Sequence, residues 1–363
     1  MVKNNKNGAI ELLRFLFIIP ITVIHWNWQL MPFGNGTFFP SGVMAVEFFF
    51  ILSGFYMVVS SRKDIINTDS GAGEKTLKFV WHKYVAMFPY YIVAIAFGFI
   101  MINWANKSGL TQMANNFVST IWEVIPLQVF NYNAFTPTGV AWYLSAMYLS
   151  MFILYPILLK RRDLYLNVIA PLLALFIYGQ ISFKYGVSFV IMEPLIGPLT
   201  AGFLRGIAGI SLGAFLYRLT EMGANIKLSR LATGILSLIE VLFYVLIFFL
   251  MSRLENGQSD FVQILLIFIA LTITLSNKTI SARLLSCRIT TFLGKISMLV
   301  YLNHFALARY VMPLYIGRTS NVNLYVIYCF AVVIQVSLCL LIGNIGKWLW
   351  NFCTHKLKKI FLT

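Results

Sequence analysis

The first apolar stretch of the chain carries two side chains capable of chemistry, Arg14 and His25. Eleven residues apart on an α-helix, they are separated by three turns plus about 20° and about 16 Å along the axis, so both face the same way. Pro20 lies between them and leaves the Leu16 carbonyl unpaired, which permits a kink and a local polar spot. A neutral imidazole can take a proton from a hydroxyl near neutral pH. It can also be acylated itself as a covalent carrier. Arg14 would then hold an anionic part of the group donor. The other reading is a histidine hydrogen-bonded within a helix bundle, with Arg14 snorkelling to the interface. The pair by itself does not choose between them.

Glu47 opens the second apolar stretch, Val46-Glu47-Phe48-Phe49-Phe50-Ile51-Leu52-Ser53-Gly54-Phe55. On an adjacent antiparallel helix it comes to the depth of His25, to within about one turn. A carboxylate there would orient the imidazole and raise its basicity. An interfacial Glu facing outer water is the competing reading. Trp142 and Tyr143 begin a later helix, where they suit either an interfacial aromatic belt or sugar stacking. Asn303 and His304 lie within a late helix, as interhelical glue or as acceptor contacts. Arg205 faces either a polar cavity or the outer interface. An ionisable group in a membrane span is a functional candidate by default.

The elements that must position these residues follow from composition. Of 363 residues, 59% are hydrophobic and 11% charged, whereas soluble domains carry about 25% charged residues. The apolar residues come in runs long enough to span a bilayer, for which about 20 residues suffice. Ten spans are predicted: Ala9–Met31, Gly42–Ser60, Tyr84–Trp104, Val140–Leu159, Leu164–Phe183, Pro198–Tyr217, Leu231–Met251, Phe261–Ser276, Ile296–Leu314 and Val322–Ile345. The expected fold is an all-α polytopic transmembrane bundle of about ten helices. Residues 1–345 form one membrane domain and 346–363 a basic cytoplasmic tail. Arg14 interrupts the first run and no small-residue cleavage site follows, so the run is kept as a helix and not as a signal peptide.

The net charge of +16 does not indicate nucleic acid. The cations lie between the apolar spans, and no zinc spacing or nucleic-acid motif accompanies them. Most fall in loops that share one side when both termini are cytoplasmic, among them Arg62, Lys63, Lys160–Arg162, Lys278 and Arg283. Cys287, Cys329, Cys339 and Cys353 form no CxxC pair and are read as free thiols. Ile65–Thr76 is a polar link. Ala105–Gly139 is a long outer segment expected to carry a re-entrant or interfacial helix. No internal repeat of the kind common in transporters is present. No metal site is expected.

Taken together, these motifs resemble the acyltransferase 3 family of membrane acyltransferases over most of the chain and in the same order. Glu11-Leu12-Leu13-Arg14 with His25 resembles its first-helix signature, and the Glu47 run its second. Ala141-Trp142-Tyr143-Leu144-Ser145-Ala146 resembles its fourth-helix motif, and Ile296–Phe305 with Asn303 and His304 its late-helix motif. The resemblance implies transfer of an acyl group, usually acetyl, from cytoplasmic acyl-CoA to hydroxyls of surface polysaccharides or lipid-linked sugars. His25 would be the essential histidine, Arg14 its partner, and acetyl-CoA a cosubstrate rather than a bound cofactor.

The family usually carries two arginines three apart before a Tyr-Pro or Phe-Pro. Here Lys83 and Ala86 occupy those positions in His82-Lys83-Tyr84-Val85-Ala86-Met87-Phe88-Pro89. Lysine lacks the bidentate fork of arginine, which brings His82, Lys78 or Arg62 into the expected donor site. The expected catalytic pair is His25 and Glu47. The donor site is Arg14, Lys83 and His82, and the acceptor site Trp142, Tyr143, Asn303 and His304. The resemblance also implies a multi-pass protein of a bacterial inner membrane. The competing class is a transporter or flippase for a glycan or lipid intermediate, whose His, Glu and Arg would form a proton or substrate path.

Overall fold

The computed structural model describes residues 7–30, 38–66, 70–130, 135–184, 193–197, 199–255, 257, 259–315, 318 and 321–361, with side chains outside 27–30, 321–322, 324–325 and 349–361. Lys356, Lys358, Lys359 and Cys353 therefore lie outside the described side chains.

Each of the ten predicted spans forms a helix over most of its described length, with Met31 and Pro198 lying outside the described residues and Leu199–Thr200 in a strand. The helices are α1 (Gly8–Leu30), α2 (Ala45–Ile66), α3 (Ala72–Ala105), α6 (Trp142–Lys160), α7 (Ala170–Lys184), α8 (Ala201–Met222), α9 (Arg230–Arg253), α10 (Ser259–Leu275), α11 (Arg288–Ala306) and α12 (Asn321–Phe361), with two short helices, α4 (Leu110–Ser119) and α5 (Ile121–Val124), after α3. A π turn over Tyr165–Ile169 leads into α7, and another over Leu307–Val311 extends α11. Two short strands, Pro194–Ile196 and Leu199–Thr200, pair antiparallel before α8.

Among the described residues, seven helices are long and apolar enough to cross a membrane. The three other predicted spans form α8, α10 and α11. Helix α10 has only 17 residues. Helix α8 is enclosed by α2, α6, α7 and α10. A helix screened from lipid by protein need not be apolar, and α8 accordingly carries Arg205 and four glycines.

Those glycines set how closely the helices pack. A Cβ at Gly54 would lie 2.0 Å from the Ile210 carbonyl oxygen, and one at Gly213 would lie 1.9 Å from that of Ile51. Helices α2 and α8 thus cross backbone against backbone, as small residues allow in membrane bundles.

Contacts between helix termini define the two ends of the bundle. At one end Asn7 donates to Asn277, Arg162 pairs with Glu221, and Lys278 donates to the carbonyls of Gly223 and Ile226 that follow α8. This end, rich in Lys and Arg, is the basic face. At the other end Ser41 donates to the Leu254 carbonyl beside the start of α10.

Helix α3 begins at Ala72, well before its predicted start at Tyr84, because hydropathy marks only its apolar part. Helix α12 runs on through Phe361, so the predicted tail continues the last helix without a break. The segment after α3 folds back along it, as a re-entrant hairpin does. Asn116 donates to Asn103 near the end of α3, and further in Tyr91 and Tyr84 donate to the carbonyls of Glu123 and Val124. Glu123 is buried at the tip, where its carboxylate accepts from the backbone and hydroxyl of Thr138.

Candidate active site

A cavity of about 880 Å³ reaches into the bundle from the basic face. At the basic face it is lined by Asn7, Arg62, Glu221 and Asn277, and at its inner end by Val46, Tyr143 and Tyr301. Val46 and Arg62 are 16 residues apart on one helix, which makes the passage about 24 Å deep. Side chains of seven helices, α1, α2, α3, α6, α8, α10 and α11, line it.

Its outer half is charged. Arg14 and Glu11 project into it from α1, 3.4 Å apart, the arginine partly exposed and the glutamate buried. Glu11 leans on α11 where Gly294 leaves room, since a Cβ there would overlap the carboxylate. Lys83 reaches in from α3, its Nζ 5.3 Å from the centre of the Phe79 ring. Glu221 is bound by Arg162 at 2.8 Å and Arg218 at 2.9 Å, so its charge is already matched. Arg62 meets a phenol instead of an acid, donating through Nε to the Tyr217 hydroxyl at 2.6 Å. The mouth therefore carries a surplus of positive charge.

The inner half is apolar and aromatic, with Phe49, Leu52, Met87, Met147 and Met298 along its walls. Ser53 and Tyr143 pair their hydroxyls at 3.3 Å. Tyr301 donates to the Val140 carbonyl at 2.5 Å, its ring 5.7 Å from that of Tyr143 and 5.9 Å from that of His304. Behind Tyr301 stands a pair of histidines. Nδ1 of His25 lies 2.9 Å from Nε2 of His304, and the His25 ring also meets Phe305 edge-on at 5.1 Å. Phe305 in turn packs on Gly139, whose φ of +70° and lack of a side chain let the preceding loop press against that ring. Tyr301 is thus the side chain shared by the cavity and the histidine pair, and neither histidine lines the cavity itself.

The predicted site residues divide accordingly. Arg14, Lys83 and Tyr143 line the cavity. His82 does not; it is exposed on the outside of α3, with Nδ1 2.6 Å from the Lys78 carbonyl. Trp142 is buried, its ring 5.3 Å from the Arg205 guanidinium. Asn303 accepts from Gln335 at 3.2 Å and donates to Leu299, joining α11 to α12 as interhelical glue.

The expected Glu47–His25 contact is replaced by another. One carboxylate oxygen of Glu47 receives Arg205 Nε at 2.8 Å and the other receives the Tyr178 hydroxyl. All three residues are buried. The physical reason is Arg205: a guanidinium in the centre of the bundle needs an anion, and Glu47 is turned toward α8 to supply it. The partner that does meet His25 is His304, expected instead at the acceptor site.

Sequence reasoning did not single out Tyr301, Tyr217, Glu221 or Glu11 as site residues. One signal was available: Tyr301 and His304 are three residues apart, the spacing that brings side chains together on one helix face.

The sequence model of one family, the acyltransferase domain of the acyltransferase 3 group, matches residues 7–343. No curated protein and no solved structure matches the chain.

Proposed function

The chain belongs to the acyltransferase 3 family, and on that premise we propose that this multi-pass membrane protein moves an acetyl group from acetyl-CoA to a hydroxyl of an envelope polysaccharide or lipid-linked glycan. The observation that carries this reading is the cavity, with its cationic mouth and its inner end one tyrosine away from the histidine pair. In this reading the basic face is cytoplasmic and the membrane is the inner membrane of a bacterium. The phosphates of the donor bind at the mouth beside Arg14, Lys83 and Arg62, where both charge and access favour a polyanion. The thin pantetheine arm extends along the apolar walls and brings the thioester to Tyr143 and Tyr301.

His25 acts as the base. It takes the proton of the acceptor hydroxyl as that oxygen attacks the thioester carbonyl. The carbon–sulfur bond breaks, the departing thiolate recovers the proton from the imidazolium, and free CoA thiol and an acyl ester result. For this the Tyr301 ring must swing aside, releasing its hydrogen bond to Val140. A protein that merely carried glycans across the membrane would leave the thioester intact.

The test is release of CoA thiol by the purified protein given acetyl-CoA and an envelope extract, together with mass spectrometry of the extract for one added acetyl unit. The His25→Ala variant should still enter the membrane and should lose thiol release by about 100-fold or more. Wild-type protein that leaves acetyl-CoA untouched, or a His25→Ala variant as active as wild type, defeats the proposal.

A further inference from the structure

We infer that His304 is a positioning residue that sets the tautomer of His25, so that His25 offers an unprotonated Nε2 to the reaction. The inference rests on the reading of His25 as the base, and it follows from which groups can only accept a hydrogen bond.

Nδ1 of His304 lies 2.7 Å from the Tyr301 carbonyl and 3.1 Å from the Val300 carbonyl. A carbonyl oxygen has no proton to give, so this Nδ1 carries the hydrogen. A neutral imidazole has only one such hydrogen, so Nε2 of His304 is a lone-pair acceptor. The atom 2.9 Å from it, Nδ1 of His25, must then be the donor. That assigns the hydrogen of His25 to Nδ1 and its lone pair to Nε2.

The backbone of α11 is therefore the origin of the relay: carbonyl to His304, His304 to His25, His25 to substrate. An aspartate often plays the orienting part in such arrangements, but here the nearby acid, Glu47, is held by Arg205 and Tyr178. Once His25 has taken a proton, its Nδ1–H bond to His304 becomes charge-assisted and stronger. His304 is fully buried and its carbonyl accepts from Tyr328 at 3.4 Å, while its neighbour Asn303 is tied to Gln335. These bonds tie α11 to α12 beside His304, while its ring is fixed by the Nδ1 bonds to its own helix.

The experiment compares wild type with His304→Leu and His304→Gln, using acetyl-CoA as the donor and an envelope extract as acceptor. In a second arm the wild-type protein in lipid vesicles is labelled with ¹⁵N-histidine, its four histidines being few enough to assign. The expected result is a kcat lowered about 100-fold in His304→Leu with KM for acetyl-CoA within about twofold of wild type. His304→Gln, whose amide oxygen can accept from Nδ1–H, should return to within about tenfold of wild type. The ¹⁵N spectrum should show a protonated Nδ1 and a bare Nε2 on His25. A His304→Leu variant with wild-type kcat overturns the inference, as does an equal loss in the Leu and Gln variants, which would mark a packing role. A His25 protonated at Nε2 also overturns it. Should wild type release no thiol at all, the functional reading fails, and the ¹⁵N arm still decides the tautomer.

Discussion

Of the glutamate–arginine pairs in this bundle, Glu47–Arg205 and Glu11–Arg14 differ in almost every respect. Glu47 and Arg205 sit at the centre, with side chains essentially inaccessible and nitrogen and oxygen 2.7 Å apart. Tyr178 takes the second carboxylate oxygen and the Trp142 ring lies against the guanidinium. Glu11 and Arg14 are 3.4 Å apart in the cavity, with the arginine side chain 31% exposed. The first pair is closed off from the cavity, with both carboxylate oxygens of Glu47 occupied, so its charge is used up within the fold. The second is loose and open to the passage, so a bound polyanion can compete for the arginine. An ionisable residue within a membrane span is a functional candidate on sight; burial and satisfaction of its partners separate the structural pair from the one available to a ligand.

That contrast can be broken in order of size. Glu47→Ala leaves Arg205 buried without its anion, at a cost of about 3–5 kcal/mol. The variant should lose its cooperative thermal transition in detergent and elute as aggregate. A Glu47→Ala protein as stable as wild type would mean that the lock is not one. Tyr178→Phe removes one hydroxyl from the same carboxylate and should cost about 1.5–3 kcal/mol, the range for a hydrogen bond to a charged group; the unfolding midpoint measures it. Arg14→Ala should shift that midpoint least, since exposed pairs contribute about 1 kcal/mol or less. Its effect should appear instead in KM for acetyl-CoA, raised about tenfold or more. If Arg14→Ala unfolded the protein and left KM alone, the two regions would have exchanged roles.

The assignment of Glu47 illustrates what one sequence can and cannot locate. Counting residues from the ends of two antiparallel helices put Glu47 and His25 at a common depth. Depth is one coordinate of a side chain in a bundle, and rotation about the helix axis is another. Helix α2 packs against α8 through Gly54 and Gly213, and that crossing turns Glu47 toward Arg205. Nothing in the local sequence of α2 encodes that rotation, because its helix is apolar nearly all round. Asn303, whose bland reading as interhelical glue is the one realised, was more legible. A lone polar residue between apolar neighbours commonly binds the next helix.

His304 was visible as a residue and invisible as a partner. It is 279 positions from His25, and their contact depends on α1 packing along α11. The cavity was foreseeable only as a passage that an inner donor would need. Its mouth draws Arg62 and Lys83 from two helices, with Glu221 from a third.

The sequence by itself determined that the chain is a bundle of apolar helices, where the apolar part of each lies, and which family the chain belongs to. Those properties are carried by hydropathy, charge between spans and residue order, all of which are local. The tertiary structure alone decided which charges neutralise one another, which histidine meets which, and which polar groups line a passage. Each of these depends on the angle at which a helix is turned against its neighbours, and that angle is set by packing between residues far apart in the chain.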